Sequence, residues 1–382
     1  MGNRRLLSLD VLRGAAVAGM ILVSAPGNDA PYGWLRHSAW NGFTPADLVF
    51  PLFLFALGVS AAVSLERHLR LGAPRRALVV QSAGRAALLF ILGIAGNGVP
   101  CGFAPDGWRV MGVLQRIALC SFGAAALYLG TEAVAQLALG ACALLGYWAA
   151  LTLIPVPGYG AGNLTAAGNL ASWLDRLLLP GVLLGGNFDS EGLLSTIPAF
   201  ATTIAGLLAG RFLLGEKRPA RGAAALFGAG VLLTAAGLAW NPFFPINKHL
   251  WTSSFSLFST GLALLLFGAL HWLIEARQVR AWSRPLEAYG RNAFMIYALS
   301  FLFLAVQDSI PMMAGGSPGN LRSWLCATLF GWASPPNACL LYTLSYTALW
   351  LPLAAWLNRR GIALRVSWST VTETLGRVRA RK

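Results

Sequence analysis

The sequence predicts an all-α, polytopic integral membrane protein, a bundle of about ten helices that cross a lipid bilayer. Hydrophobic residues make up 56% of the 382-residue chain, and charged residues only 11%. Several runs of 18 or more residues are almost free of charge, long enough to cross a hydrocarbon core of roughly 30 Å as a helix. A soluble protein would interrupt such runs with polar faces, so a soluble fold is excluded.

The apolar runs place the helices one after another along the chain. The chain opens like a signal peptide, but Asp10 and Arg13 interrupt the apolar region and no convincing cleavage site follows, so we expect a retained first helix. Segment 321–333 is too short to cross and is expected to be re-entrant or interfacial. The expected spans are 8–25, 44–65, 79–97, 110–129, 133–153, 191–213, 222–240, 252–274, 287–307 and 339–357.

Basic residues cluster on one side of these spans, the side of the N-terminus. One missed helix would move every later cluster to the other side, so the alternation supports the span count. The positive-inside rule places both termini in the cytoplasm. The same rule accounts for the net charge of +15, because basic cytoplasmic loops orient the helices in the membrane. We therefore do not expect the protein to bind nucleic acid. The clusters are 4–5, 67–85, 217–221, 277–284 and a cytoplasmic basic tail at 358–382.

The opposite side carries the longer connections, which are rich in glycine and proline. Long loops that hold polar and aromatic groups on one face usually build a site. The sequence contains no evident internal repeat or soluble domain, so we expect a single membrane domain over the whole chain, 1–382. The long connections are 26–43, 98–109, 154–190, 241–251 and 308–338.

Cysteine and histidine spacing does not predict a metal site. The five cysteines show no C-x-x-C pair, and the four histidines show no H-E-x-x-H pattern. Cys101, Cys326 and Cys339 fall on the expected non-cytoplasmic side. A disulfide between two of them is compatible with the sequence, which does not assign the pair.

Residues 35–51, LRHSAWNGFTPADLVFP, carry the strongest signal for chemistry. Ionisable side chains at a membrane boundary are costly, which favours a functional role for them. The imidazole of His37 suits proton removal near neutral pH, and the carboxylate of Asp47 can fix its tautomer. Asn41 can donate to a carbonyl oxygen that gains negative charge. The alternative is an interfacial loop whose histidine and tryptophans lie among lipid headgroups.

Other charged residues near the spans leave two interpretations open. Asp10 and Arg13 lie on the same helix face, where they can form a local ion pair or an N-terminal cap. The alternative is that Arg13 binds an anionic ligand from the cytoplasm. Arg291 is either a topological anchor or a phosphate contact. Arg116 points into the bundle for structural pairing or for substrate contact. Lys248 is a cation on the opposite, non-cytoplasmic side.

These motifs resemble the heparan-α-glucosaminide N-acetyltransferase family, which includes the lysosomal enzyme and bacterial NagX-like proteins. The resemblance begins with LSLDVLRG at 7–14 and the block at 35–51. It continues through GVLQR at 112–116, DSEGLLST at 189–196 and NKHLW at 247–251, and ends near GRNA at 290–293. The wider group resembled is the transmembrane acyltransferase superfamily.

The resemblance implies transfer of an acetyl group from cytosolic acetyl-CoA to the amine or hydroxyl of a periplasmic amino sugar. Its expected setting is a bacterial inner membrane, with the lipid bilayer and the sugar as partners, no nucleic acid, no metal, and a homodimer left open. His37 is the implied catalytic residue, as a base or a covalent acetyl carrier, with Asp47 and Asn41 beside it. Coenzyme contacts are expected from Asp10, Arg13, Arg291 and Asn292. Substrate contacts are expected from Ser24, Trp40, Gln115, Arg116, Asp189, Glu191, Asn247, Lys248 and Trp251.

One position departs from the family pattern. An asparagine within a Val-Asn pair often lies near the outer end of the first span, where this chain has Ser24. If that asparagine helps to bind the acetyl carbonyl, activity or acceptor choice differs here. We also expect the protein to be without the extra luminal domain and first anchor helix of the lysosomal enzyme, and so to resemble the bacterial form.

Two other function classes compete with the enzyme. An inner-membrane transporter of amino sugars similar to N-acetylglucosamine would also place polar residues within the membrane. Transporters more often show paired broken helices in two repeated halves, and the absence of an evident repeat favours the enzyme. A family member without activity is the third possibility.

The topology can be tested by cysteine labelling. A cysteine introduced at Gly160 is expected to react with an impermeant reagent from the periplasm, whereas one at Arg218 should react only after permeabilisation. Labelling of both from the same side would contradict the ten-span topology.

Overall fold

A computed structural model of the chain describes residues 6–104, 107–314 and 317–360. It confirms an all-α membrane bundle. Within the described residues, nine helices are long and apolar enough to cross a membrane, or ten if a bent pair counts as one span. The helices are α1 Leu7–Ser24, α2 Pro45–Arg70, α3 Arg75–Gly98, α4 Val113–Gly130, α5 Ala133–Leu153, α6 Leu170–Leu178, α7 Thr196–Gly215, α8 Pro219–Trp240, α9 Ser253–His271, α10 Arg284–Arg291, α11 Ala293–Ser309, α12 Leu321–Phe330 and α13 Pro335–Arg359.

The expected ninth span, 287–307, is not one straight helix. α10 and α11 meet at an angle of 70°. Asn292 lies between them with φ −120° and ψ 31°, outside helical geometry. The bend lets α10 lie against α1 while α11 continues across the bundle.

The long connections hold more structure than their composition predicts. α6 lies inside the 154–190 loop, and an antiparallel hairpin of β1 Pro311–Ala314 and β2 Ser317–Asn320 precedes the short α12. α12 confirms that 321–333 holds no spanning helix. Cys101, Cys326 and Cys339 are free thiols. The basic tail beyond residue 360 and the basic pair at 4–5 lie outside the described residues.

Glycines bring pairs of helices into backbone contact. A Cβ on Gly58 would lie 2.0 Å from the Thr203 carbonyl oxygen of α7, and one on Gly206 would lie 2.0 Å from the Phe55 carbonyl oxygen of α2. At the crossing of α1 and α10, a Cβ on Gly290 would lie 1.7 Å from the Asp10 carbonyl oxygen. Such close approach is a common basis of helix association in membranes, where lipid removes the hydrophobic driving force.

The two ends of the bundle differ in charge. One end, here called the basic end, surrounds a cavity of about 1220 Å³. Its wall includes residues of α1, α2, α3, α7 and α10 and of the connection between α7 and α8, among them Arg67, Lys217 and Arg291. The opposite end, here called the loop end, joins the connections before α2, before α7 and before α9. The alternation of basic clusters is therefore reproduced in space.

The close crossing of α2 and α7 predicts the effect of a single methyl group. Gly206→Ala is expected to lower the midpoint of thermal unfolding in detergent, since overpacking typically costs about 1–3 kcal/mol and a backbone carbonyl cannot turn away. Gly228→Ala in α8 is the matched control, because nothing lies within 4 Å of its added Cβ. An alanine normally suits a helix better than glycine. Equal melting of both variants would contradict this packing.

Candidate functional site

The loop end is organised around a histidine–carboxylate pair. Nδ1 of His37 lies 2.8 Å from Oδ1 of Asp47. The Asp47 side chain is fully buried, whereas that of His37 is 36% exposed. Since a carboxylate accepts, Nδ1 carries a proton, and in the neutral ring Nε2 is therefore left with its lone pair. Nε2 has no partner among the described residues, so it is free to accept a proton from a bound molecule.

Local sequence explains why Asp47 is fixed. It is the third residue of α2, where a carboxylate can satisfy backbone N–H groups at the helix N-terminus. Its Oδ2 accepts from the Thr44 backbone N–H at 2.9 Å and from the Ser38 backbone N–H at 3.2 Å. The Thr44 hydroxyl donates to the Arg36 carbonyl oxygen at 2.7 Å. These bonds hold the loop before α2 in one arrangement.

Asn41 is held by the loop that precedes α9. Its Oδ1 accepts from Nδ2 of Asn247 at 3.0 Å, and the Gly42 N–H donates to the Ile246 carbonyl oxygen at 2.8 Å. Gly42 has φ 111°, a conformation that favours glycine. Asn247 is itself fixed, because its Oδ1 accepts from the Leu250 N–H at 2.8 Å. Asn41 therefore keeps its own N–H donors available, while Asn247 orients it.

Trp40 joins three loops. Its Nε1 donates to the Leu164 carbonyl oxygen at 2.9 Å. Its ring is stacked on His249 with centroids 5.5 Å apart, and the edge of Phe188 meets it at 5.0 Å. This aromatic cluster ties the loop of His37 to the 154–190 connection.

An arginine that the sequence did not single out binds two of the expected substrate residues. Arg109 donates to Asp189 at 2.7 and 2.5 Å and to Glu191 at 2.6 Å. Burial opposes the charge of Arg109, but the two carboxylates raise its pKa overall. Burial likewise opposes the charge of Glu191, yet Arg109, Arg116 and Lys248 lower its pKa to about 2. The only signal in the sequence was a lone cation in a non-cytoplasmic loop.

Arg116 and Lys248 are buried cations of the same cluster. Nη2 of Arg116 donates to the Ser195 hydroxyl at 2.5 Å and to the Gly192 carbonyl oxygen at 3.2 Å, and its guanidinium lies 5.0 Å from the ring centre of Trp251. Burial lowers the pKa of Lys248, Arg116 adds to this, and Glu191 and Asp47 oppose it. Cations of α4 and the loop before α9 thus face the acidic loop.

Two further expected residues have different settings. Gln115 is buried and its Nε2 donates to the Val110 carbonyl oxygen at 2.8 Å. Ser24 is the exposed last residue of α1, and its side chain makes no hydrogen bond to the described residues. Their roles in binding stay predictions.

The four expected coenzyme residues meet at the basic end, around the cavity. Asp10 and Arg13 form an ion pair, and Arg291 binds Glu287 and Asn358. The cavity wall holds six Arg and Lys side chains against four Asp and Glu side chains. Arg67 and Lys217 form no ion pair within the described part of the chain. The wall therefore offers cations for an anionic ligand, and no group of three possible metal ligands occurs among the described residues.

The geometry agrees with the comparison to known proteins. The family described as "Heparan-alpha-glucosaminide N-acetyltransferase, catalytic" matches residues 5–239. The chain belongs to this family. The protein named heparan-alpha-glucosaminide N-acetyltransferase from Homo sapiens is 29% identical over 350 residues, covering 77% of this chain and 52% of that protein. Its Mus musculus counterpart is 28% identical over 351 residues, covering 77% and 53%. The chain spans about half the length of the curated relatives it matches.

Aromatic side chains, here called the aromatic layer, lie along α2 and its neighbours between the cavity wall and Asp47. The cavity wall ends at Phe53 and Phe294, whose rings meet edge to face at 5.6 Å. Phe50 packs edge to face on Trp251 at 5.3 Å, one turn closer to Asp47. Phe53 is six residues from Asp47, about 9 Å along α2.

Asp175 of α6 predicts how stability depends on pH. Burial and Asp189 raise its pKa to about 6, from 3.8, although the Leu193 N–H, which donates to it at 2.9 Å, opposes the rise. Unfolding therefore releases a proton between about pH 4 and 6, so this group makes the fold less stable as pH rises through that window, by about 3 kcal/mol.

Asp175→Asn keeps an acceptor for Leu193 and removes this titration. We expect wild type and variant to melt alike near pH 4 and the variant to melt higher at pH 7, in thermal unfolding followed across pH in one detergent. A gap between the two proteins that does not change with pH would contradict the prediction.

Proposed function

We propose that the chain is a membrane-embedded acetyltransferase that moves an acetyl group from acetyl-CoA to the amine, or a hydroxyl, of an amino sugar. The observation that carries this proposal is the His37–Asp47 pair. It presents an unprotonated Nε2 at the loop end, at the opposite end of α2 from a cavity with cationic walls. The name of the human and mouse relatives, heparan-alpha-glucosaminide N-acetyltransferase, supports the same reaction class.

The residues at the loop end suit acyl transfer. The sugar nitrogen attacks the thioester carbonyl carbon, an N–C bond forms, the C–S bond breaks, and Nε2 of His37 takes the proton of the nitrogen and returns it to the leaving sulfur. The Asp47 carboxylate stabilises the imidazolium that forms. The free N–H donors of Asn41 can stabilise the carbonyl oxygen as it gains charge. A second route, in which Nε2 carries the acetyl group between two transfers, uses the same atom.

The basic end suits the coenzyme. Its cavity, of about 1220 Å³, is larger than a drug-sized pocket and can take a long nucleotide ligand. Arg13, Arg67, Lys217 and Arg291 are the cations that we assign to its phosphates. The thioester arm then points along α2 toward Phe53 and the aromatic layer. This arrangement requires the basic end to face the cytoplasm, with both termini there, in a bacterial inner membrane.

The loop end supplies the acceptor side. Trp40 lies three residues after His37 in the same loop and is the aromatic side chain that we assign to the sugar. The buried carboxylates of Asp189 and Glu191 act through their ion pairs with Arg109, which fix the neighbouring loop. Asn247 and Trp251 take part through their neighbours, Asn41 and Arg116. We assign the acceptor to the surface around His37 on these grounds.

An amino-sugar transporter remains the alternative function. The bent pair of α10 and α11 is a broken helix at the cavity wall, and such breaks bind substrates in transporters. Transporters commonly pair two such breaks in repeated halves. One bent pair occurs within the described residues, which favours the enzyme.

The decisive test is His37→Ala. We expect loss of acetyl transfer to glucosamine by about 10²–10⁴, or more if the histidine carries the acetyl group. The variant should still gain thermal stability from acetyl-CoA, since His37 lies outside the cavity wall. Asp47→Asn should lose less, because the imidazole remains.

Arg36→Ala is the matched control, a neighbouring exposed side chain that binds only the Asp29 carbonyl oxygen. Near-normal transfer by His37→Ala would end the mechanism. Absence of a thermal shift with acetyl-CoA, together with uptake of N-acetylglucosamine into proteoliposomes, would establish the transporter instead.

A further inference from the structure

A second histidine, His249, is hydrogen-bonded on both ring nitrogens. Its Nε2 lies 3.0 Å from the Ser38 carbonyl oxygen, and its Nδ1 lies 2.8 Å from Oγ of Ser190. A carbonyl oxygen can only accept, so Nε2 carries the proton. Nδ1 of the neutral ring then accepts the Ser190 hydroxyl. The two partners thereby select one tautomer of His249.

The Ser38 peptide connects His249 to the reacting pair. Its carbonyl oxygen accepts from His249, and its N–H donates to Oδ2 of Asp47 at 3.2 Å. The other carboxylate oxygen of Asp47 accepts from His37. A shift of the Ser38 peptide would therefore move one of the hydrogen bonds that fix the Asp47 carboxylate.

The other end of this path is anchored by an ion cluster. Ser190 lies between Asp189 and Glu191, and Arg109 binds both carboxylates. The path thus runs from an arginine-clamped loop through Ser190 and His249 to the loop of His37. The stack of Trp40 on His249 holds the imidazole in the plane that both hydrogen bonds need.

The surroundings of His249 keep its ring neutral. Burial lowers its pKa, and the charge of Lys248 lowers it further, while its bond to Ser38 and the charge of Asp47 oppose the fall. The neutral form is the one whose donor and acceptor match Ser38 and Ser190. His249 is thus held in a single hydrogen-bonding state rather than used to exchange protons.

We propose that His249 is a positioning residue for His37, acting through the Ser38 peptide on the Asp47 carboxylate, with Ser190 as the group that orients it. The inference rests on the proposed acetyl transfer for its kinetic consequence, but its structural claim concerns the state of His37 alone. It assigns a role to the histidine of NKHLW, whose neighbours Asn247 and Lys248 were the residues that the sequence singled out.

Three substitutions separate the functions of the ring. His249→Phe keeps an aromatic ring against Trp40 and removes both hydrogen bonds. His249→Gln can place a donor where Nε2 stands, and His249→Asn can place an acceptor where Nδ1 stands but does not reach Ser38. We expect Phe and Asn to lower kcat for acetyl transfer by about tenfold, with KM changed little, because small displacements of a catalytic group are costly. Gln should recover most of the loss.

A second readout does not depend on the reaction. Diethyl pyrocarbonate acylates neutral histidine, and peptide mass spectrometry follows the rate at His37, with His68 at the basic end as an internal reference. We expect the Phe and Asn variants to slow modification of His37 relative to His68, and Gln to restore it. If wild type shows no acetyl transfer but this order of reactivity holds, the proposed function fails while the positioning role stands.

Two results would overturn the positioning role. One is a His249→Phe variant with wild-type kcat and wild-type reactivity at His37. The other is a His249→Gln variant that loses as much as His249→Phe at equal thermal stability, since a restored donor to the Ser38 carbonyl oxygen would then recover nothing.

Discussion

The burial of the Asp47 carboxylate is the constraint on which the loop end depends. A buried carboxylate is costly unless hydrogen bonds and positive charge compensate it. Asp47 meets this need at the start of α2 with the Thr44 and Ser38 N–H groups and the Nδ1–H of His37. Each donor comes from the preceding loop, so satisfying the charge also fixes that loop. The same bonds leave Nε2 of His37 as the reactive atom.

α2 links the two chemical ends of the molecule. Its first turn carries Asp47, and its last residues, including Arg67 and Arg70, line the cavity of the basic end. Between them the helix packs through Gly58 against α7 at backbone distance. A close crossing of this kind resists sliding, so the distance between the cationic cavity and His37 is set by one helix. The aromatic layer at Phe50 and Phe53 lies on this helix between the cavity and Asp47.

The charged residues of the loop end stabilise one another as a group. Arg109 is paired with two carboxylates, while Arg116 rests on neutral oxygens and the face of Trp251. The negative charges of Glu191 and Asp47 both favour the charged form of Lys248. Moving or removing one member would leave another buried charge uncompensated, which is energetically costly. The cluster therefore resists rearrangement. That stiffness extends through Ser190 and His249 to the reacting pair.

The sequence by itself determined what depends on short range. Run length and the alternation of arginines placed the spans, and the chemistry of a histidine and an aspartate in one short segment predicted the pairing of His37 with Asp47 at the start of α2. Only the tertiary structure decided the break at Asn292, the pairing of Arg109 with Asp189, and the contact of His249 with Ser38. The last of these contacts joins residues 211 positions apart. Such contacts depend on how the helices pack, and helix packing in a bilayer is set by glycine positions and loop geometry, which leave no periodic signal in the chain.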